Sequence, residues 1–346
     1  MIAYETTQPG APLNRVEKET PDPKGAEVLL KVVACGVCHS DIHLHDGVFE
    51  LGNGKQLDVA QQGQVLGHEI FGEVIATGRD VEGVAIGDRR VIYPWIGCGE
   101  CASCQRGDEH LCTPGCALGI IRPGGFADHV LIPNSRYLFE KGSVADSLAA
   151  TYACSGLTAY GALKKLGNLG LKDEVIIIGA GGVGMMAIQI AMSVLNLQPI
   201  VVDIDESKLD AARALGVERV FNSSDSQTAK EIRKSTGGAY GAIDFVGSEA
   251  STGYGLNCLR KGGMLIIVGL YGGSLSMPIP FIPMNARIIQ GSYVGSLADM
   301  AELMTLVREG KIAPIEIQER PLSQATEALV DLKAGKVKGR QVLVNA

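Results

Sequence analysis

The chain has 346 residues, of which 46% are hydrophobic and 20% charged; that length suits about two domains, and that balance excludes a disordered chain. A net charge of −7, with no basic run or stripe, excludes nucleic acid as a partner. The opening MIAYETTQPG lacks a basic and an apolar region, so no signal peptide is expected.

In chain order, residues 26–36, 69–78, 89–97 and 127–133 read as short strands broken by Gly and Pro. They predict a β-rich, barrel-like domain. The pattern changes near residue 147, where small and apolar residues recur at helical spacing to 167. Strands at 174–179, 199–205, 220–222, 242–247 and 263–270 then alternate with helices at 183–195, 206–216, 228–238 and 250–260. That alternation predicts a parallel sheet covered on both faces. The uncharged stretch 175–195 contains Gly179, Gly181, Gly182 and Gly184. It reads as a buried strand, a turn and a helix, and no membrane span is expected. A helix at 297–310 follows, and the tail 337–346 ends in a strand that returns to the first domain.

Cys98, Cys101, Cys104 and Cys112 are spaced C-x2-C-x2-C-x7-C. Four thiolates this close surround one tetrahedral Zn²⁺ at about 2.3 Å each and close its coordination shell, so this site is expected to be structural. A zinc-ribbon module for nucleic acid is the rival reading, disfavoured by the acidic chain. Cys38, His68 and Cys154 form a second candidate set with only three donors. Three donors and an open position are the arrangement of a catalytic zinc. Sequence spacing alone does not bring Cys154 to the other two. Metal-like spacing without a secretion signal implies a reducing cytoplasm. Cys35, Cys116 and Cys258 are left as small buried residues.

Gly179-Ala180-Gly181-Gly182-Val183-Gly184 is G-x-G-x-x-G, directly after a strand and opening a helix. Asp203 ends the next strand, near the offset of about 20 residues expected of a ribose-binding acid. The glycines permit the turn and the close approach of a pyrophosphate at the helix N-terminus. Asp203 would accept from the ribose hydroxyls and repel a 2′-phosphate. Ile204, Asp205 and Glu206 follow with no Arg, so NAD is expected rather than NADP. Lys208 either reaches the ribose or is an ordinary helix lysine.

GHE-x-x-G at 67–72, CGVCHSD, the four-cysteine stretch, ACSGLTAY, GAGGVG and GRQVLV occur together and in order. Nearly the whole chain thereby resembles the zinc-containing alcohol dehydrogenases of the medium-chain dehydrogenase/reductase superfamily. YPWIGCGEC and LGIIRPGGFADH are similar to stretches of bacterial enzymes acting on medium-chain alcohols and on ω-hydroxy acids such as 6-hydroxyhexanoate. The resemblance implies an α/β fold: a Rossmann doubly wound sheet at 156–294 beside a β-rich GroES-like catalytic domain at 1–155 and 295–346, whose zinc lobe spans 97–113. It implies two Zn²⁺ per chain, NAD, a small-molecule alcohol, aldehyde or ketone substrate, and a homodimer or homotetramer.

By the same resemblance Cys38, His68 and Cys154 hold the catalytic zinc. Glu69 lies beside it, and Asp41 accepts from the His68 ring. Hydride passes from a zinc-bound alkoxide to the nicotinamide, while Ser40 passes the hydroxyl proton through the cofactor ribose to His43. A turn residue and a surface histidine are the alternatives for these two. His39 and Arg340 are implied phosphate contacts. Thr158, Val183, Val268, Leu270, Ser292 and Val294 are implied contacts of the cofactor. Phe49 and Trp95 are implied walls of the substrate pocket, with core packing as the alternative for the apolar residues. Polyol dehydrogenases of the superfamily often carry Glu where Cys154 stands, and a polyol enzyme is the rival on this fold. A non-catalytic NAD- or zinc-binding protein would need a broken site. The polar excursion 51–65 reads as a surface loop. His45, His110 and His129 read as structural.

Overall fold

The alternating segments after residue 174 build a six-stranded parallel sheet in the structure, a computed structural model that describes all residues except Pro114, Ser226 and Ala346. Its strands are β1 (Val175–Ile178), β2 (Ile200–Asp203), β3 (Arg219–Asn222), β4 (Ala239–Asp244), β5 (Leu259–Ile267) and β6 (Ile288–Gly291). They lie in the order β3-β2-β1-β4-β5-β6. This is the doubly wound order whose direction reverses between β1 and β4. All four residues of β1 are buried, as a strand covered on both faces requires. Ile176, Ile178, Ile200, Val202, Ile232 and Leu265 form the packed centre. Truncating any one of these isoleucines or Leu265 to Ala would cost about 2–5 kcal/mol.

The β-rich part is a second sheet. In it Val28–Gly36 pairs antiparallel with Glu69–Thr77 and with His129–Ile132. The tail strand Arg340–Val344 pairs antiparallel with Val28–Gly36, setting Val342 opposite Gly36; the last residue of the predicted tail, Ala346, lies outside the described residues. Burial runs almost unbroken along Val28–Gly36, which places this strand in the middle of its sheet.

Two compact units result: Met1–Val48, Asp58–Leu157 and Gly295–Ala346 form one, and Phe49–Leu57 with Thr158–Val294 the other. No helix among the described residues is long and apolar enough to cross a membrane.

Three features differ from the expectation. The excursion 51–65 begins as a β-hairpin, Val48–Gly52 with Lys55–Asp58. Its turn residues Asn53 (φ 52°) and Gly54 (φ 71°) have the left-handed backbone that an Asn-Gly hairpin turn demands. The helix expected over 147–167 is interrupted by one π-turn, Tyr152–Gly156, between Asp146–Thr151 and Leu157–Lys164. Cys116 is half-buried rather than buried.

Candidate active site and zinc centres

Cys38 caps the helix His39–Asp46, an element too short to show in the hydrophobic pattern. The helix ends at Gly47, whose left-handed φ of 74° suits a helix stop. Asp41, one turn into the helix, is fully buried. Its Oδ2 accepts from the Cys38 backbone N–H at 2.9 Å and its Oδ1 from that of Gly67 at 3.2 Å. The same Oδ1 lies 3.2 Å from Nδ1 of His68. One carboxylate therefore fixes the backbone at Cys38 and at Gly67 and faces the imidazole.

Cys154 arrives on the π-turn. Such a turn shifts the side-chain direction within a helix and recurs at functional sites. The ligand atoms of Cys38, His68 and Cys154 lie within 4.8 Å of one another, and all three residues are buried. The donor set fits a cation. Both ring nitrogens of His68 are buried with no hydrogen-bond partner among the described residues, Nδ1 facing the Asp41 carboxylate. The Cys154 thiol, then the His68 ring, hold Cys38 well below the ordinary thiol value. The Cys38 sulfur beside it, and then burial, push Cys154 well above that value. Without a metal the Cys154 thiol keeps its proton and donates it in a hydrogen bond to the Cys38 thiolate. A divalent ion allows both to ionise.

Glu69 follows His68 and is fully buried. One of its oxygens accepts from the Ser155 N–H at 3.2 Å, and the other pairs with the Arg340 guanidinium. Burial raises its pKa to about 6, although Arg340 opposes the shift. A Cβ on Gly36 would fall 1.9 Å from Oε2 of Glu69, so this strand position has room only for glycine. Arg340, expected at a phosphate, is thus buried against Glu69 from the tail strand.

Trp95, expected as a pocket wall, is itself buried. Its ring lies 5.3 Å from the His68 ring, and its N–H donates to the Ala153 carbonyl at 3.2 Å. It braces the segments of His68 and Cys154 at once, a role that sequence reasoning missed. Phe49 belongs to the other unit, on the hairpin. Ser40 and His43 are half-buried, one turn apart on the helix His39–Asp46, and His39 is exposed. Burial lowers the His43 pKa, opposed in part by its hydrogen bond with Val48. His45 bonds the Ala11 carbonyl at 2.7 Å and His129 bonds Asp128 at 2.7 Å.

The second cluster has the dimensions of a metal cage. Cys101 Sγ lies 3.6 Å from Cys104 and 3.8 Å from Cys112, and Cys98 lies 3.9 Å from Cys104. Four sulfurs at 2.3 Å from one tetrahedral ion are about 3.8 Å apart. Backbone N–H groups of Glu100 and Cys101 point at Cys98 at 3.5 and 3.3 Å, and that of Cys98 at Cys112 at 3.2 Å. These donors favour the thiolate form. Buried Glu109 ties the lobe to the sheet domain by accepting from the Tyr137 hydroxyl at 2.6 Å and from Arg136.

At the carboxyl end of β1, Gly179 has φ +93°, and a Cβ on Gly184 would fall 1.8 Å from the Gly179 carbonyl oxygen. Gly181 has nothing within 4 Å of where its Cβ would sit, which leaves open space at the N-terminus of the helix Gly182–Ser193. One glycine makes the turn, one lets the helix close on the strand, and one leaves room for a pyrophosphate. Asp203 accepts from Ala180 N at 2.7 Å and from Asp205 N at 3.0 Å, one bond to each oxygen. A carboxylate oxygen has two lone pairs, so each keeps one for a ribose hydroxyl. Lys208 lies on the helix after Asp205 and is half-buried.

Ser292 is buried at the end of β6, and its hydroxyl has no hydrogen-bond partner among the described residues. Val294 is buried with φ +42°, an uncommon backbone for a β-branched residue. Val268 and Val183 are half-buried, Thr158 is buried and Leu270 exposed, all in the unit that contains the glycine loop. The orphan hydroxyl and the glycine cradle both fit a dinucleotide.

Two family models match the chain: an alcohol dehydrogenase GroES-like domain at residues 24–142 and a zinc-binding dehydrogenase domain at 182–309. An NAD-dependent alcohol dehydrogenase of Sulfurisphaera tokodaii is 38% identical, covering 99% of this chain and 100% of that one. The chain belongs to the zinc-containing alcohol dehydrogenases of the medium-chain dehydrogenase/reductase superfamily. A second relative of this alcohol dehydrogenase family, from Geobacillus stearothermophilus, is 32% identical over 94% of each chain. The crystal structure of the Aeropyrum pernix alcohol dehydrogenase superposes with a TM-score of 0.88 at 30% identity, covering 99% of this chain and 100% of that one. An acetophenone reductase of Geotrichum candidum, solved in complex with NAD, superposes with a TM-score of 0.87 at 29% identity, covering 99% and 96%. The fold is that of the medium-chain alcohol dehydrogenases.

Proposed function

We propose that the chain is an NAD- and zinc-dependent alcohol dehydrogenase that interconverts medium-chain primary or secondary alcohols with aldehydes or ketones. The observation that carries this reading is the pairing of an incomplete metal shell, Cys38, His68 and Cys154, with a glycine cradle closed by Asp203. A bound zinc supplies a charge that brings an alcohol's pKa toward neutrality, and NAD accepts the hydride.

The rest is done by the chain's own residues. Asp41 orients the His68 ring so that Nε2 presents its lone pair. Trp95 holds the His68 and Cys154 segments in place. Glu69 and Arg340 neutralise each other beside the ligands and leave no unpaired charge there. Ser40 accepts the hydroxyl proton, and His43, one turn along the same helix, delivers it to solvent. Burial keeps His43 unprotonated at neutral pH, which is the form that takes a proton. Asp203 accepts from the adenosine ribose, and its charge disfavours a 2′-phosphate. The four-cysteine lobe binds the second zinc and has no catalytic part.

The reading extends to assembly. β6 ends its sheet with every residue exposed, and Ile288, Ile289, Phe281, Ile282 and Met284 leave apolar surface around it. An open apolar strand edge is normally covered, and a second copy of the chain is the occupant proposed. The thiol ligands need a reducing compartment, in keeping with the cytoplasm.

Initial rates with 1-hexanol, 6-hydroxyhexanoate, cyclohexanol and a polyol, each with NAD and with NADP, test the reading. NAD-linked oxidation that peaks on the six-carbon alcohols is expected. A peak on the polyol, or no turnover on any of them, would overturn it.

A further inference from the structure

Asp244 ends β4 opposite Ile178 of β1, where the order of the sheet reverses. It is fully buried. Oδ1 accepts from the backbone N–H groups of Val246 at 2.9 Å and Gly247 at 3.0 Å. Oδ2 accepts from the hydroxyls of Ser251 at 2.9 Å and Thr252 at 2.8 Å. Its main-chain carbonyl accepts from Val268 N at 2.9 Å and Gly269 N at 3.0 Å. Among the described residues, none of its hydrogen-bond partners is a Lys or an Arg.

The carboxylate therefore ties the loop after β4 to the helix Glu249–Cys258, while the main-chain carbonyl, which any residue would supply, reaches the loop after β5. The two loops are also in van der Waals contact. A Cβ on Gly247, where φ is +71°, would fall 1.8 Å from the Gly269 carbonyl oxygen. Tyr271 N reaches the Val246 carbonyl at 3.2 Å. Core filling alone does not call for a buried carboxylate, because an apolar side chain avoids its desolvation. Four donors converging on one carboxylate set a loop geometry that an apolar residue would leave free.

A doubly wound sheet binds its ligand outside the carboxyl ends of the strands, at the reversal point, with one mononucleotide on each half. The half built on β1 to β3 carries the glycine cradle and Asp203. The half built on β4 to β6 carries Asp244 and these two loops. We propose that Asp244 is a positioning residue for the nicotinamide half of NAD: its carboxylate fixes the loop after β4, against which the loop after β5 packs, in the shape that this half meets. The proposal rests on the NAD reading above.

The test is calorimetric titration of the zinc-loaded protein with NADH and, separately, with ADP-ribose, which lacks the nicotinamide. Asp244→Ala weakens NADH about tenfold or more, while ADP-ribose stays within about twofold. Asp244→Asn, which keeps an oxygen for Val246 and Gly247, stays within about threefold of the native protein for both ligands. Thr252→Val removes one donor from Oδ2 and is the milder variant. It weakens NADH by about threefold and spares ADP-ribose, and it decides the matter if Asp244→Ala does not fold. Native NADH affinity in the folded variants, or equal losses for both ligands, overturns the positioning role. A native protein that binds neither ligand overturns the NAD reading, and the proposal with it.

Discussion

Trp95 and His68 lie ring against ring, 5.3 Å apart and tilted by 56°, while the same indole bonds the residue before Cys154. Two of the three residues proposed to hold the catalytic zinc thus share one brace. Trp95→Ala should leave a cavity and free both segments. Outer partners of metal ligands change metal affinity by about 10–100-fold, so affinity at the three-ligand site should fall by that order. Competition with a chelator followed by metal analysis checks it. Trp95→Phe, which keeps the packing and loses the N–H, should lie between.

Arg340 and Glu69 make a buried pair separated by 271 positions in the chain. Removing one partner of such a pair costs about 3–5 kcal/mol, because the other charge is left unpaired. Arg340→Leu should lose that much stability in urea unfolding. Arg340→Leu with Glu69→Gln should recover part of it, since the uncompensated charge is gone.

Burial raises Tyr137 to about 12, with the Glu109 carboxylate adding to the shift, and burial raises Tyr254 to about 12 as well. In the unfolded chain these phenols titrate near 10. Between those values the folded state holds protons that the unfolded state has lost. Stability from these groups is complete below pH 10 and falls as pH rises toward about 12. Urea midpoints measured from pH 9 upward should show the decline, and Tyr254→Phe should make it shallower.

Ile289 stands mid-strand on β6 and is exposed. If a second copy covers this edge, Ile289→Lys buries a charge in the interface. Light scattering should then give the mass of one chain for the variant and a multiple of it for the native protein. Native and variant masses that agree would contradict the proposed interface.

Much of this organisation is legible from residue spacing. The four-cysteine lobe and the glycine loop are local, with donors or turn residues close in the chain, so spacing carries their geometry. The parallel sheet shows in β1, whose VIII is apolar throughout. The pairing of Cys154 with Cys38 and His68 does not show, because Cys154 is distant in the chain and arrives on a π-turn that only the fold creates. The Arg340–Glu69 pair is hidden by the same distance in the chain. The Asn53-Gly54 hairpin was available in the sequence, but the polar residues around it read as a loop. Helix Ala325–Lys333 was available too. Its buried Ala325, Ala328, Leu329 and Leu332 recur at helical spacing.

The most direct test of the account is zinc per chain and NAD-linked 1-hexanol oxidation, measured together in the native protein, Cys154→Ser and Cys101→Ser. The account predicts about two zinc ions in the native protein and about one in each variant. Activity should be lost in Cys154→Ser, while the folded fraction of Cys101→Ser keeps it. One zinc or none in the native protein, or full activity in Cys154→Ser, would contradict a catalytic metal held by Cys38, His68 and Cys154.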